Sequence, residues 1–161
     1  MHEMIIRNIR QADNKALAEI IRSVLAEFGA NHPGTVYYDA TTDDLFSLFS
    51  KENSAYFTVE IKGEIVGGGG IYPTPALPAG YCELVKLYLL PAARGTGLGK
   101  KLILQCFETA KYFGYTHIYL ETMPELKMAL GMYQQLGFAH LDGALGNSGH
   151  FGCAIWMVKK L

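Results

Sequence analysis

An arginine and three glycines stand where an apolar run passes into a helical one, in the pattern Arg94-x-x-Gly97-x-Gly99, followed by Lys100 and Lys101. The residues before the turn, Glu83-Leu-Val-Lys-Leu-Tyr-Leu-Leu90, suit a strand. Those after Gly97 suit a helix. Such a junction can hold an anion. The first N–H groups of a helix have no partner inside it, the helix dipole adds positive potential there, and glycines let the backbone approach a phosphate closely. Two lysines in a first helical turn oppose the dipole, so they favour a bound anion at that end. Upstream, Glu83 is an acid among Tyr81, Cys82, Leu84 and Val85. Burial there raises its pKa towards the range of a general base.

The glycine spacing excludes two familiar phosphate loops. A P-loop requires G-x-x-x-x-G-K-[ST]. Here Arg94 stands at the first glycine and Lys101 at the Ser/Thr place. A dinucleotide fingerprint requires G-x-G-x-x-G. In Gly95-Thr-Gly97-Leu-Gly99 the third glycine comes one residue early.

Composition narrows the class. The 161 residues suit one domain, residues 1–161, and half of them are hydrophobic. The formal net charge of −1 gives no reason to expect nucleic acid or an anionic membrane as partner. No apolar segment is long enough to span a bilayer. The N-terminus lacks signal-peptide features, so a cytoplasmic location is expected. Cys82, Cys106 and Cys153 contain no C-x-x-C pair, and the histidines show no metal spacing, so no metal is expected. Cys153 near His150 is the one pairing that resembles a thiol nucleophile and base.

The elements that must position these residues follow from periodicity. Met4 to Ile9 suits a first strand. Asp13 suits a cap for a helix carrying Leu17, Ile20, Ile21, Val24, Leu25 and Phe28, ended by Gly29. A loop with His32, Tyr37 and Tyr38 leads to Thr41-x-x-Asp44, a capping-box pattern before a short helix. Ala55–Ile61 and Glu64–Tyr72 read as a hairpin, and Gly67 to Gly70 in its second strand suggest a bulge or a close backbone approach. Tyr81 to Leu90 is a strand, Gly97 to Phe113 a helix, and Thr116 to Glu121 a strand. Thr122-Met-Pro-Glu125 reads as the start of a helix closed by Gly137. Phe138 to Leu141 and Cys153 to Val158 form a last strand pair around a glycine-rich loop holding His150. The order β-α-α-β-β-β-α-β-α-β-β predicts a mixed, mostly antiparallel twisted sheet flanked by helices, an α/β or α+β sandwich.

The glycine turn resembles motif A of the GNAT family, the Gcn5-related N-acetyltransferases. Ala129-x-x-x-Tyr133-x-x-Leu136-Gly137-Phe138 resembles the family's motif B, and the element order resembles the whole GNAT fold. The resemblance implies acetyl-CoA as co-substrate, its pyrophosphate held by Arg94, Gly95, Thr96, Gly97, Leu98, Gly99 and Lys100. It implies that the strand with Leu87 and Leu89 pairs with the pantetheine arm, and that a backbone N–H near Leu87 polarises the thioester. Glu83 corresponds to the catalytic base. As it precedes Leu87 by four residues, an extended strand gives both side chains one orientation. Tyr133 corresponds to the acid for the departing thiolate. Many members carry an Asn where Leu126 stands, so that contact to CoA is absent and Thr122 is the substitute polar group. Tyr37, Tyr38 and His150 are candidates to contact the acceptor, because their loops flank its side in this fold. The implied activity is transfer of an acetyl group to a primary amine of a small or amino-acid-like molecule by direct attack. Alternatives are acetylation of a protein or peptide and a non-catalytic acyl-CoA-binding module. Dimerisation is common in the family, so a homodimer is compatible with it.

Overall fold

The computed structural model describes residues 3–161. Seven strands form one sheet: β1 (Met4–Asn8), β2 (Ala55–Ile61), β3 (Glu64–Tyr72), β4 (Tyr81–Leu89), β5 (His117–Thr122), β6 (Ala139–Leu141) and β7 (Ile155–Lys160). Their order is β1-β2-β3-β4-β5-β7-β6. Every pairing is antiparallel except β4 with β5. The helices are α1 (Asn14–Glu27), α2 (Leu45–Leu48), α3 (Leu98–Tyr112) and α4 (Lys127–Gln135). The expected fold class and element order are both present.

Two apolar layers sandwich the sheet. On one face Leu102, Ile103, Cys106 and Phe107 of α3 pack with Tyr133 of α4 over Leu84, Ile118 and Leu120. On the other, Leu17, Ile21 and Leu25 of α1 pack with Leu45, Tyr56 and Met123. The helical spacing of those α1 residues is what allows one face to be buried.

Three helix starts differ from expectation. Asp13 precedes α1 but makes no side-chain cap. It is buried, where it accepts from both terminal nitrogens of Arg7 (2.8 and 2.9 Å) and from Thr58 (3.0 Å). An ion pair with Arg7 of β1 therefore takes the carboxylate that a cap would use. Asp44, not Thr41, caps α2 by accepting from the Ser47 N–H. And α4 begins at Lys127, because Thr122 completes β5 and pairs with Ile155. Sheet pairing there overrides a local helix-start signal.

The site depends on two irregularities in β4. First, β4 pairs with β5 only over Tyr81–Glu83, although β5 continues to Thr122. The two parallel strands part beyond Glu83. Second, the β3–β4 register shifts between Gly68 and Gly70, leaving one extra residue in β4. Lys86 takes up the distortion with a φ of 52°. The glycine run makes room for it. A Cβ on Gly68 would meet the Tyr56 ring at 2.6 Å, and one on Gly69 would meet Leu87 at 2.6 Å. The Tyr56 hydroxyl then reaches the Lys86 carbonyl at 2.9 Å. The bulge also reverses side-chain alternation. Leu84, Leu87 and Leu89 belong to the α3 face, Val85 and Tyr88 to the α1 face. Glu83, two residues before Val85, therefore lies on the face opposite Leu87, contrary to the four-residue argument from an extended strand.

Candidate active site

The turn before α3 has the backbone geometry to hold an anion. Gly95 and Gly97 have φ values of 73° and 83°, which favour glycine. Gly97 is the residue before the first helical turn. The N–H groups of Gly95, Thr96, Gly97, Gly99 and Lys100 have no partner among the described residues. Space beside Gly95 and Gly97 is open. Thr96 supports the turn from within, donating to the Ala93 carbonyl at 2.6 Å. Leu98 is buried under it. Arg94, expected alongside the pyrophosphate, also makes contacts within the protein. It forks onto Glu27 at the end of α1 (2.7 and 2.9 Å), donates to the Leu89 carbonyl (3.1 Å) and lies 4.9 Å from the Phe28 ring centroid. It fastens the turn to α1 while still bordering the cleft.

From this turn a cleft of about 310 Å³ runs between the parted strands β4 and β5, under α4, to a group of buried and half-buried ionisable side chains. Glu83 is 3% exposed, and its Oε1 accepts from Thr74 at 2.6 Å. Its Oε2 has no partner among the described residues and yet is not sealed off, so it opens on the cleft. Burial pushes the Glu83 carboxyl up to about 7, and the charge of Glu121 adds to that rise against the Thr74 hydrogen bond. Glu121 accepts from Tyr119 (2.7 Å) and Ser148. His150 Nδ1 lies 3.8 Å from Glu121, and its Nε2 lies 2.6 Å from Asp39 Oδ2. Lys86 donates to the same Asp39 oxygen at 3.2 Å. Burial would lower the His150 pKa, but the Asp39 hydrogen bond outweighs it and raises the group. Burial likewise works to raise Asp39, and His150 and Lys86 hold it low instead.

Residues 17–138 match the Acetyltransferase (GNAT) family. The chain belongs to the GNAT acetyltransferase family. It is 44% identical to the uncharacterized N-acetyltransferase YjgM of Escherichia coli K12, over 98% of this chain and 95% of that one. It is 30% identical to human N-acetyltransferase 8B over 69% of this chain and about half (52%) of the human protein. Among solved structures, a GNAT acetyltransferase from Staphylococcus aureus Mu50 aligns over 99% of both chains with a TM-score of 0.85 at 20% identity. The PaiA N-acetyltransferase of Thermoplasma acidophilum, solved with coenzyme A, aligns over 99% of both with a TM-score of 0.77 at 20% identity. Among the described residues, no helix is long and apolar enough to cross a membrane.

In this acetyltransferase Tyr133 is buried on α4 and borders the cleft, with its hydroxyl unpartnered among the described residues and open to the cavity. Burial raises its pKa well above the ordinary tyrosine value, so the hydroxyl keeps its proton. Thr122 is buried at the end of β5 and borders the same cleft, whereas Leu126 immediately precedes α4. Tyr37 and Tyr38 are not in the cleft wall. Their rings lie tilted against each other, with centroids 5.1 Å apart and planes at 58°, and Tyr38 is exposed. His150 is in the wall. Cys153 is there too, but burial and the nearby Glu121, Glu83 and Asp39 push its thiol up to about 12. Asp39, Lys86 and Glu121 escaped the sequence reading. Only Glu121 carried a signal, as an acid inside the apolar run His117-Ile-Tyr-Leu-Glu-Thr122.

Proposed function

We propose that the enzyme transfers an acetyl group from acetyl-CoA to the primary amine of a small molecule, by direct attack. The observation that carries this reading is the Glu83 carboxylate. It has one oxygen held by Thr74, the other open to the cleft, and an affinity for protons near neutrality. The cleft fits acetyl-CoA. Five free N–H groups and Lys100 suit the pyrophosphate. The parted edge of β4 offers backbone groups to the amides of the pantetheine arm. The bulge at Lys86 and Leu87 lies on that parted edge, and its backbone N–H groups are the candidate donors to the thioester carbonyl.

Bound acetyl-CoA supplies the activated acyl group. An amine arriving as ammonium loses one proton to Glu83. The freed nitrogen lone pair forms the C–N bond at the thioester carbon as the C–S bond breaks. The leaving sulfur takes the Tyr133 proton, the new amide nitrogen gives up its second proton to the Tyr133 oxygen through water, and Glu83 releases the proton it took to solvent. No thiol is needed, and a Cys153 pKa of about 12 disfavours an acetyl-enzyme.

Three loops roof the acceptor end, which favours a small acceptor over a protein. The loop after β6 is tied to the loop after α1 by Gly152 N–H to the Gly34 carbonyl (2.8 Å) and by His150 to Asp39. It is tied to the loop before β4 by Asn147 N–H to the Pro75 carbonyl (2.8 Å). The direct test measures thiol release from acetyl-CoA against amines, amino acids and peptides, with mass spectrometry of the protein after acetyl-CoA alone. Amide product without an acetyl adduct supports the reading. A Cys153 adduct that the amine discharges at the catalytic rate overturns direct attack.

A further inference from the structure

We infer that Glu83 and Glu121 together form a receptor for the ammonium group of the acceptor, and that the receptor selects a monocationic amine with no carboxylate beside it. This rests on the acetyl-transfer reading and adds Glu121 as a specificity-determining residue.

The geometry comes first. Oxygens of Glu83 and Glu121 and a ring nitrogen of His150 lie within 4.8 Å of one another. An ammonium nitrogen donating at about 2.8 Å in tetrahedral directions spans acceptors about 4.6 Å apart. A zinc-sized ion, bound at about 2.0–2.2 Å, would draw them to about 3.4 Å. That bound admits an ammonium shared by the two carboxylates, with His150 Nδ1 at 3.8 Å from Glu121. Glu83 Oε2 is the open member of the pair, on a residue 3% exposed. A buried carboxylate oxygen facing a cavity without a donor is an incomplete site.

Charge gives the second argument. Three carboxylates, on Asp39, Glu83 and Glu121, face two cationic side chains, Lys86 and His150. Both cations contact one oxygen, Asp39 Oδ2, at 3.2 and 2.6 Å, and only the other ring nitrogen of His150 approaches Glu121, at 3.8 Å. Asp39 is thereby satisfied, and the surplus negative charge lies on the Glu83–Glu121 side. One ammonium balances it. An α-amino acid would bring its own carboxylate within a bond or two of the same point. The remaining cations of the cleft wall, Arg94 and Lys100, are at the phosphate end, and Arg94 is paired with Glu27. The amino acid's carboxylate would meet Glu83 and Glu121, with Lys100, unpaired among the described residues, at the other end of the cleft. Beyond the charged group, Met123, Leu126 and Cys153 line the cleft, so the rest of the acceptor is apolar.

The test compares phenethylamine with phenylalanine, which differ only by the carboxylate, together with shorter alkylamines and their N,N,N-trimethyl analogues. Binding to the whole protein is measured by calorimetry with and without CoA, and turnover by thiol release. The amine should be preferred by about a hundredfold or more in kcat/KM, since a buried like-charge contact costs several kcal/mol. Trimethylation should abolish binding, because it removes the donors. Glu121→Gln should raise the amine KM about tenfold while changing kcat less, and should narrow the preference. The wild-type comparison stands even if that variant folds poorly. Equal or better use of the amino acid, an unchanged KM in a folded Glu121→Gln protein, or no primary amine binding at all would each overturn the receptor. Turnover of other acceptors would leave the acetyl-transfer reading intact in those cases. Absent acetyl-CoA binding would sink that reading, while amine binding measured without CoA would still judge the receptor.

Discussion

The chain buries two clusters of charged side chains, and they obey opposite rules. In the first, Arg7 lies between Asp13 and Glu60, with Thr58 and the Arg10 N–H completing Asp13. Each acceptor oxygen of Asp13 is used, and the cluster is outside the cleft. In the second, Glu83, Glu121, Asp39, Lys86 and His150 surround the cleft end with a carboxylate oxygen left over. The first cluster ties β1 and β2 to the start of α1. The second tolerates an incomplete arrangement that only a ligand completes. A charge network whose central acid has both oxygens used serves stability, and one with a carboxylate oxygen left open to a cavity serves chemistry.

The sharpest way to break the contrast is to neutralise one acid in each cluster. Glu83→Gln should lower kcat by about 10²–10⁴-fold with acetyl-CoA affinity nearly unchanged, the range for loss of a general base. Steady-state kinetics with calorimetry checks it. The same residue sets the pH dependence. Glu83 must be ionised to accept a proton, and its pKa is raised to about 7. The rate of the wild-type enzyme should therefore fall as pH drops below about 7. The Gln variant should lose that limb.

Asp13→Asn should do the reverse. Removing one partner of a buried pair costs about 3–5 kcal/mol, read as a lower melting temperature, with turnover per folded molecule unchanged. Burial acts to raise the Asp13 pKa, but the Arg7 hydrogen bonds, the Arg10 N–H and Thr58 outweigh it and hold it low. The stability it contributes is present above the ordinary carboxylate range and is lost as pH falls through the lowered value. A urea titration at acid and neutral pH measures this. If Asp13→Asn removed activity without unfolding, the division of roles would fail.

Two smaller effects sharpen the picture within the cleft. Gly97→Val places a β-branched residue at a φ of 83°. Distorting the turn should remove about two hydrogen bonds to phosphate at about 1.5 kcal/mol each, or about a hundredfold in acetyl-CoA affinity. Amine binding, measured without CoA, should survive. Tyr133→Phe should lower kcat only about tenfold, less than a typical general acid, because a thiolate leaves readily without full protonation. A loss as large as that of Glu83→Gln would give Tyr133 a further role, such as ordering the acyl group.

Legibility in the sequence followed the range of the interactions. The turn was readable because its function lies in consecutive backbone groups, and glycine spacing reports directly on backbone. The strands and helices were readable because their periodicities are local. Glu83 and Tyr133 came from motifs, and both border the cleft. The side-chain orientation of Glu83 was misjudged because a bulge resets alternation, and the bulge depends on Tyr56 and Gly68 meeting across strands. The start of α4 was misjudged because β5 extends through Thr122 to pair with Ile155.

By itself the sequence determined the element order, the two apolar faces, the glycine turn at the start of a helix and the presence of an acid in an apolar strand. These follow from periodicity, glycine placement and burial preference, all encoded by neighbours in the chain. Only the tertiary structure decided which charges meet. Asp39 and His150 are 111 positions apart, and Arg94 and Glu27 are 67. Their pairing depends on the parting of β4 from β5 and on loops closing over the end of the sheet. No local pattern predicts such contacts, because opposite charges far apart in sequence have many partners until the fold leaves each with one.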